Sequence, residues 1–199
     1  MITTSSHSNP PLATRLMLFP SCVQVDLPVL DSSPDWDARI DELIKAFILP
    51  TKLRLPSPVQ LSPATLAKLT RDESRQSNFV TSSVGAPTIL ICGHGGRDQR
   101  CGIFGPLLED EFKDKLLAAG IDKASVALIS HIGGHRFAGN VIVYMPPSTA
   151  SPLAGKGIWY GRVEPKHVEG IVNTTIVHGT VIEELLRGGI ESDGSLLRI

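Results

Sequence analysis

Two cysteines and two histidines in the second half of this 199-residue chain stand at spacings that suit a shared metal. Cys92 closes an apolar run, PTILIC, and Cys101 follows the glycine-rich stretch Gly93–Arg100. His131 and His135 flank Ile132-Gly133-Gly134. Thiolates and imidazoles are the ligands of zinc and of iron–sulfur centres. Glycine beside a ligand lets a backbone N–H approach sulfur, where it offsets negative charge. Gly93 and Gly133-Gly134 fit that need, and His94 is a candidate donor to the ligands or an alternative ligand. Alone, Cys92 reads as a core residue, and a bare His-x-x-x-His as a helix surface. The Gly-Gly inside the histidine spacing argues for a shaped loop instead. Together the four residues point to a metal site. The residues themselves leave open an iron–sulfur centre, a structural zinc, or a thiol–disulfide oxidoreductase using Cys92 and Cys101. The last lacks the usual Cys-x-x-Cys at a helix start.

Positioning these residues is the task of the second half. Ten of the 15 prolines lie in residues 1–91, and 17 of the 18 glycines lie after it. Proline punctuates and stops elements, whereas glycine permits tight turns and close backbone approach. Residues 1–84 therefore read as a segment of short elements, and 85–199 as a domain with functional loops. In the first part, Cys22–Leu27 alternates as a strand. Asp35 is placed to cap a helix through Ile48. Ser62-Pro63 opens a second helix, Pro suiting the first helical position, and residues 70–87 read as a polar loop. In the second part, strands are expected at Pro87–Cys92, Ser125–Ser130, Val141–Met145 and Gly157–Val163. A helix is expected from Gly105-Pro106 to Ala119, capped by Gly120. Another is expected from Glu164 to Thr175, with helical structure continuing through Val181–Leu186. The order β-α-β-β-β-α, with a crossover into a parallel pair, outlines an α/β thioredoxin-like fold: a mixed sheet flanked by helices. Both ligand loops then leave the same end of the sheet.

Bulk properties exclude several classes. A net charge of −1 and a pI near 6.6 give no general attraction to nucleic acid or anionic membrane. No apolar run approaches the roughly 20 residues of a membrane span. Three cysteines, an odd number, do not suggest a disulfide framework. The first 25 residues are rich in Ser, Thr and Pro, with one Arg and no acid. They faintly suggest a mitochondrial leader, with a short disordered start as the alternative. Cys22 is expected in the core of its strand, Trp159 and Tyr160 in the core of theirs, and His167 and His178 at the surface or as caps.

The segments ICGHGGRDQRCGIFGPLLEDEF (91–112), SHIGGHRFAGNVIVYMP (130–146) and GIWYGRVEPKHVEGIV (157–172) resemble the sucrase/ferredoxin-like family, and within it the mitochondrial branch associated with altered inheritance of mitochondria. The resemblance is good over about residues 85–190 and poor before that. Its most specific motif is His-x-Gly-Gly-His followed by Ala-Gly-Asn. Phe137 stands where many relatives carry Trp. The resemblance implies a thioredoxin-like ferredoxin domain with a [2Fe–2S] cluster on Cys92, Cys101, His131 and His135. It implies an electron carrier or redox sensor rather than a catalyst with its own substrate, an unidentified redox partner protein, and a mitochondrial location in place of the cytoplasmic default. Hydrolysis has no support, since no paired carboxylates occupy a recognisable site.

Such a ligand set has electrostatic consequences. Two thiolates balance the formal charge of an oxidised cluster core, whereas four would leave it about two units negative, so an added electron costs less with the mixed set. A histidine ligand also offers a second nitrogen that can hold a proton, which couples proton and electron uptake. His131→Cys should therefore lower the reduction potential, and the wild-type potential should fall with rising pH. Redox titration between about pH 6 and 10 checks both: a raised potential in the variant, or a flat profile, contradicts the charge argument.

Overall fold

The computed structural model describes residues 2–4, 13–28, 35–130, 132 and 134–198. Its strands and helices, in chain order, are β1 (Ile2–Thr4), β2 (Ala13–Leu18), β3 (Val23–Pro28), α1 (Trp36–Leu43), α2 (Pro63–Leu69), β4 (Val80–Ser83), β5 (Thr88–Cys92), α3 (Gln99–Ala118), β6 (Ser125–Ile129), β7 (Val141–Tyr144), β8 (Gly157–Tyr160), α4 (Pro165–Gly170) and β9 (Leu186–Ile190). β1 to β4 are ordered β1-β2-β3-β4 in one sheet, and the other five strands form a second. The chain divides into two compact units, one of residues 1–5, 16–24 and 82–199, the other of 6–15 and 25–81.

The smaller unit buries Val25, Leu27, Leu43 and Ala46 and carries several polar links. α1 runs on into a wider π-type turn, Ile44–Ile48, closed by the Leu49 N–H on the Ile44 carbonyl at 3.0 Å. Asp35 precedes α1, but its side chain makes no capping bond. Ser62 does cap α2, accepting from the Thr65 N–H at 3.1 Å. Lys45 Nζ donates to the Ala67 and Thr70 carbonyls at the other end of α2, and Arg75 joins Glu42 to Asp72. The expected loop at 70–87 instead contains a 3-10 helix, Glu73–Asn78, started by the Asp72 carboxylate, and the exposed strand β4. Polar side chains obscured both, because β4 buries nothing that would mark it.

The larger unit holds the main core. Its sheet is ordered β6-β5-β7-β8-β9, with β5 and β6 parallel and every other pair antiparallel. A strand, a helix, a parallel strand, then an antiparallel pair and a closing helix make this a thioredoxin-like α/β fold. Alternation along the strands sends Ile89, Ile91, Val141, Val143, Ile158 and Tyr160 to one face, where they pack with Leu108, Phe112 and Leu116 of α3, with Val168 of α4, and with Ile171 and Val172 of the π-helical stretch Ile171–Val177 that continues α4 as the last helix. Leu90, Ile142 and Tyr144 face the other way, against Phe19 and Cys22; the Phe19 and Tyr144 rings stack with centroids 4.0 Å apart. Thus Cys22 is a core residue as expected. Tyr160 is fully buried, and its hydroxyl is satisfied by Thr175 Oγ1 at 2.6 Å and the Ile182 N–H at 3.2 Å.

Three expectations need correction. The described parts of the first 25 residues are not a disordered start: they form strands, and Leu16, Leu18 and Phe19 are buried. Val181–Leu186 is not a helix. A 3-10 turn, Glu183–Leu185, leads into β9, because the open edge of β8 takes up the Leu186–Ile190 backbone. Finally, α3 begins at Gln99, not at Gly105, and carries Pro106 in its interior. Gly102, Gly105 and Pro106 are all poor helix formers, but packing overrides them. A Cβ on Gly102 would lie 2.7 Å from the Gly95 Cα, and one on Gly105 would lie 2.8 Å from the Gly93 Cα. The backbone of α3 therefore rests directly on the loop that follows β5.

This contact decides the sign of a substitution. Glycine to alanine inside a helix ordinarily gains roughly 1 kcal/mol, whereas overpacking costs about 1–3 kcal/mol. Gly102→Ala should consequently lower the urea midpoint, although it improves helix propensity. A raised midpoint would mean that helix and loop are not in backbone contact.

Candidate metal centre

The parallel pair β5–β6 places Cys92 and Ile129 side by side at the same end of the sheet. Two bonds fasten the loops that leave this end: the Cys92 N–H donates to the Asn140 carbonyl, and the Gly93 N–H to the Ile129 carbonyl, both at 3.0 Å. The chain then turns sharply. The N–H groups of Arg97 and Asp98 both reach back to the His94 carbonyl at 3.2 Å. The Asp98 carboxylate caps α3 through the Arg100 N–H at 3.0 Å, and it also pairs with the Arg100 guanidinium at 2.8 Å. Cys101 therefore lies in the first turn of α3 rather than in a loop.

The two thiols are neighbours: Cys92 and Cys101 are each 1% exposed, and Cys92 acts directly on the Cys101 thiol. The Gly139 N–H donates to the Cys101 sulfur. Burial, with Cys92 beside it, pushes the Cys101 thiol from its ordinary 9.0 up to about 11. Gly139 has φ +85°, and a Cβ there would come within 2.8 Å of the Val163 nitrogen. Only glycine fits this position, on conformation and on space. Its carbonyl accepts the Val163 N–H at 3.0 Å, so the strand-end segment 161–163 holds the donor in place.

The loop carrying the histidine motif is anchored by a distant residue. Asn140 is buried, and its Oδ1 accepts from Arg187 of β9 at 2.7 Å. The same guanidinium lies 5.0 Å from the Phe137 ring centroid and 5.9 Å from that of Trp159. A short 3-10 turn, His135–Phe137, carries the Phe137 N–H back to the Gly134 carbonyl at 2.9 Å.

Of the expected site residues, Cys92, Cys101, Gly93, His94 and Gly134 are described. His131 and Gly133 lie outside the described residues, as does the side chain of His135. Among the described residues no three His, Cys, Asp or Glu side chains gather as a metal site; the two thiols are the part of the expected set that can be seen together. His94 is exposed, with its ring over Gly96. His167 completes a capping box at α4, its Nδ1 accepting the Glu164 N–H at 3.0 Å, and His178 closes the end of the last helix on the Asn173 carbonyl. Gly139, Asn140 and Arg187 escaped sequence reading. The first two stand in the Ala-Gly-Asn motif without an evident chemistry, and Arg187 carries no local signal.

The profile of the sucrase/ferredoxin-like family matches residues 2–188. Similar curated proteins are named altered inheritance of mitochondria protein 32. The one from Debaryomyces hansenii is 47% identical over 118 residues, 59% of this chain and 41% of its own length. The one from Clavispora lusitaniae is 37% identical over 177 residues, 87% of this chain and 58% of its own length. This chain thus spans about half the length of these relatives. Among solved structures, the thioredoxin-like [2Fe–2S] ferredoxin from Aquifex aeolicus is 20% identical and covers 51% of this chain and 96% of its own, with a TM-score of 0.40. That score is too low to bear on the chemistry here.

The raised thiol sets a direction for pH. A group whose folded pKa exceeds its unfolded value stabilises the fold below the unfolded value, and loses that contribution as pH rises through the folded one. Metal-free protein should hold its denaturation midpoint up to about pH 9 and lose stability towards about pH 11 through Cys101, with Cys22, likewise raised to about 11 by burial, acting in the same direction. Iodoacetamide labelling of Cys101, followed by peptide mapping, should be slow at neutral pH and rise over the same interval. Rapid labelling at pH 7 would contradict the buried neutral thiol.

Proposed function

This chain belongs to the sucrase/ferredoxin-like family, and on that premise we propose that it is a redox protein whose Cys92, Cys101, His131 and His135 hold a [2Fe–2S] cluster. The observation that carries the reading is the pair of buried, neighbouring thiols, one of them receiving the Gly139 N–H, at the sheet end to which the histidine loop returns. The donor set fits the group. Two sulfurs shielded from water suit a soft metal centre, and a fixed N–H aimed at sulfur stabilises its negative charge. When bound, the cluster would supply one-electron redox chemistry.

The chain's own residues do the rest. β5 and the first turn of α3 hold the two thiols side by side. Cys101 must release its proton to become a ligand, so loading is favoured by rising pH. Gly139 compensates the sulfur charge, and the Arg187–Asn140 bond steadies the second ligand loop. Electron transfer with a partner protein, or redox sensing, is the resulting role. A mitochondrial location is proposed from the names of the relatives alone.

A second reading rests on the same pair of thiols: Cys92 and Cys101 as a reversible disulfide. The thiolate is both the nucleophile in such exchange and the metal ligand, so the raised Cys101 thiol bears on both readings alike, whereas the absence of a Cys-x-x-Cys at the helix start counts against exchange. Structural zinc on the same four residues is the remaining competitor.

Anaerobic purification decides among them. The protein is expected to be brown, to contain iron and acid-labile sulfide in equal amounts, and to give an EPR signal after reduction. Cys101→Ala and His135→Ala should each lose or strongly alter the visible spectrum. A colourless protein with stoichiometric zinc, or a metal-free protein with a stable Cys92–Cys101 disulfide, would overturn the proposal.

A further inference from the structure

Three arginines from three separate segments surround one aromatic ring. The guanidinium carbons of Arg136, Arg187 and Arg162 lie 4.9, 5.0 and 5.7 Å from the centroid of Phe137. Among the described residues, none of the three is engaged in an ion pair. Arg187 bonds the neutral Asn140 amide, and Arg162 reaches the Glu184 backbone carbonyl at 3.5 Å. Arg136 and Arg162 are exposed. Arg162 also holds φ +59°, a left-handed conformation that a long side chain seldom adopts. Its N–H is turned onto the Phe137 carbonyl at 3.4 Å.

Crowding like charges has a cost, against which each guanidinium gains a favourable contact with the ring. The whole chain has a net charge of −1, so this concentration is local and not the tail of a generally basic surface. It is also placed at the candidate centre. Phe137 stands two residues before Gly139, whose N–H meets the Cys101 sulfur, and Arg136 adjoins His135.

We propose that Arg136, Arg162 and Arg187, gathered on Phe137, form the docking surface for an acidic segment of a redox partner protein. The proposal rests on the reading of the neighbouring corner as a redox centre. Phenylalanine and arginine are both enriched at protein interfaces, and the planar guanidinium fork matches carboxylates in a bidentate manner. Membranes and nucleic acids are bound through broad basic fields, and a chain of net charge −1 does not supply one in bulk. Partner carboxylates would set approach and orientation more than affinity, bringing the partner onto the corner where the thiols lie.

The test uses a fluorescein-labelled peptide of alternating Glu and Leu, with binding read by anisotropy at low and high salt. Binding to the wild-type protein should weaken tenfold or more in Arg136→Glu/Arg162→Glu, and with added salt. It should persist in Arg136→Lys/Arg162→Lys and in Lys68→Glu/Lys123→Glu, which makes the same change of net charge elsewhere; circular dichroism confirms the fold of each variant. Equal binding by the charge-reversed patch, or equal loss in the remote variant, overturns the proposal. So does competition by inorganic phosphate or phosphatidylserine vesicles that matches the unlabelled peptide. Anisotropy needs no cluster. A colourless sample that still binds the peptide through these arginines therefore refutes the redox centre and not the docking surface, and a brown sample that does not bind it does the reverse.

Discussion

The contact on which the site depends is between two stretches of bare backbone. Gly95 meets Gly102, and Gly93 meets Gly105, at distances that leave no room for a Cβ on the helix side. A helix cannot come this close to a loop through ordinary side chains. Because it does, the first turn of α3 overlaps the turn that follows β5, and Cys101 reaches Cys92. The Asp98 cap starts the helix where this overlap requires it. The same glycines weaken the helix as a helix, so the local sequence accepts poor propensity in exchange for position.

A second constraint works from the opposite side. The histidine loop is anchored at its C-terminal part by segments far apart in the chain: Val163 through the Gly139 carbonyl, Arg162 through the Phe137 carbonyl, and Arg187 through the Asn140 amide. These bonds hold the loop in place, and the one from Arg187 satisfies the buried Asn140 amide, which unpaired would cost about 1–3 kcal/mol. They also put the Gly139 N–H on the Cys101 sulfur. Support for the cysteines and support for the histidine loop are therefore mechanically distinct, one made of close backbone packing and the other of long-range polar bonds. β9 belongs to the second, since without its pairing to β8 Arg187 would have no fixed place beneath Asn140.

Electrostatics adds a contrast between the inside of the corner and its rim. Inside, burial holds Cys101 neutral, with Cys92 beside it, the Gly139 amide opposing the shift and the Asp98 carboxylate adding to it. Outside, arginines collect on Phe137. A buried thiol pair near a cationic rim suits the redox centre proposed above, where negative charge would arrive.

Much of this was legible in the amino-acid sequence. Strands β5 to β8 are short apolar runs bounded by glycine and proline, and their order and lengths imply the parallel pair and hence a shared sheet end for both loops. The residue types Cys92, Cys101, His131 and His135 already state which ligand chemistry is available. Local pattern carries such information because strand burial and ligand softness are properties of a few adjacent residues. The start of α3 at Gln99, the strands at Ala13–Leu18 and Leu186–Ile190, and the roles of Gly139, Asn140 and Arg187 were not legible. Each depends on a partner remote in sequence: a glycine with no space for a Cβ, an open strand edge, an aromatic ring on the far side of a sheet, a carbonyl that must be met. By itself the sequence determined the candidate ligands and the end of the sheet on which they fall. Only the tertiary structure decided that the two thiols are buried side by side, because that placement is made by backbone approach and long-range hydrogen bonds, which leave no periodic trace in the chain.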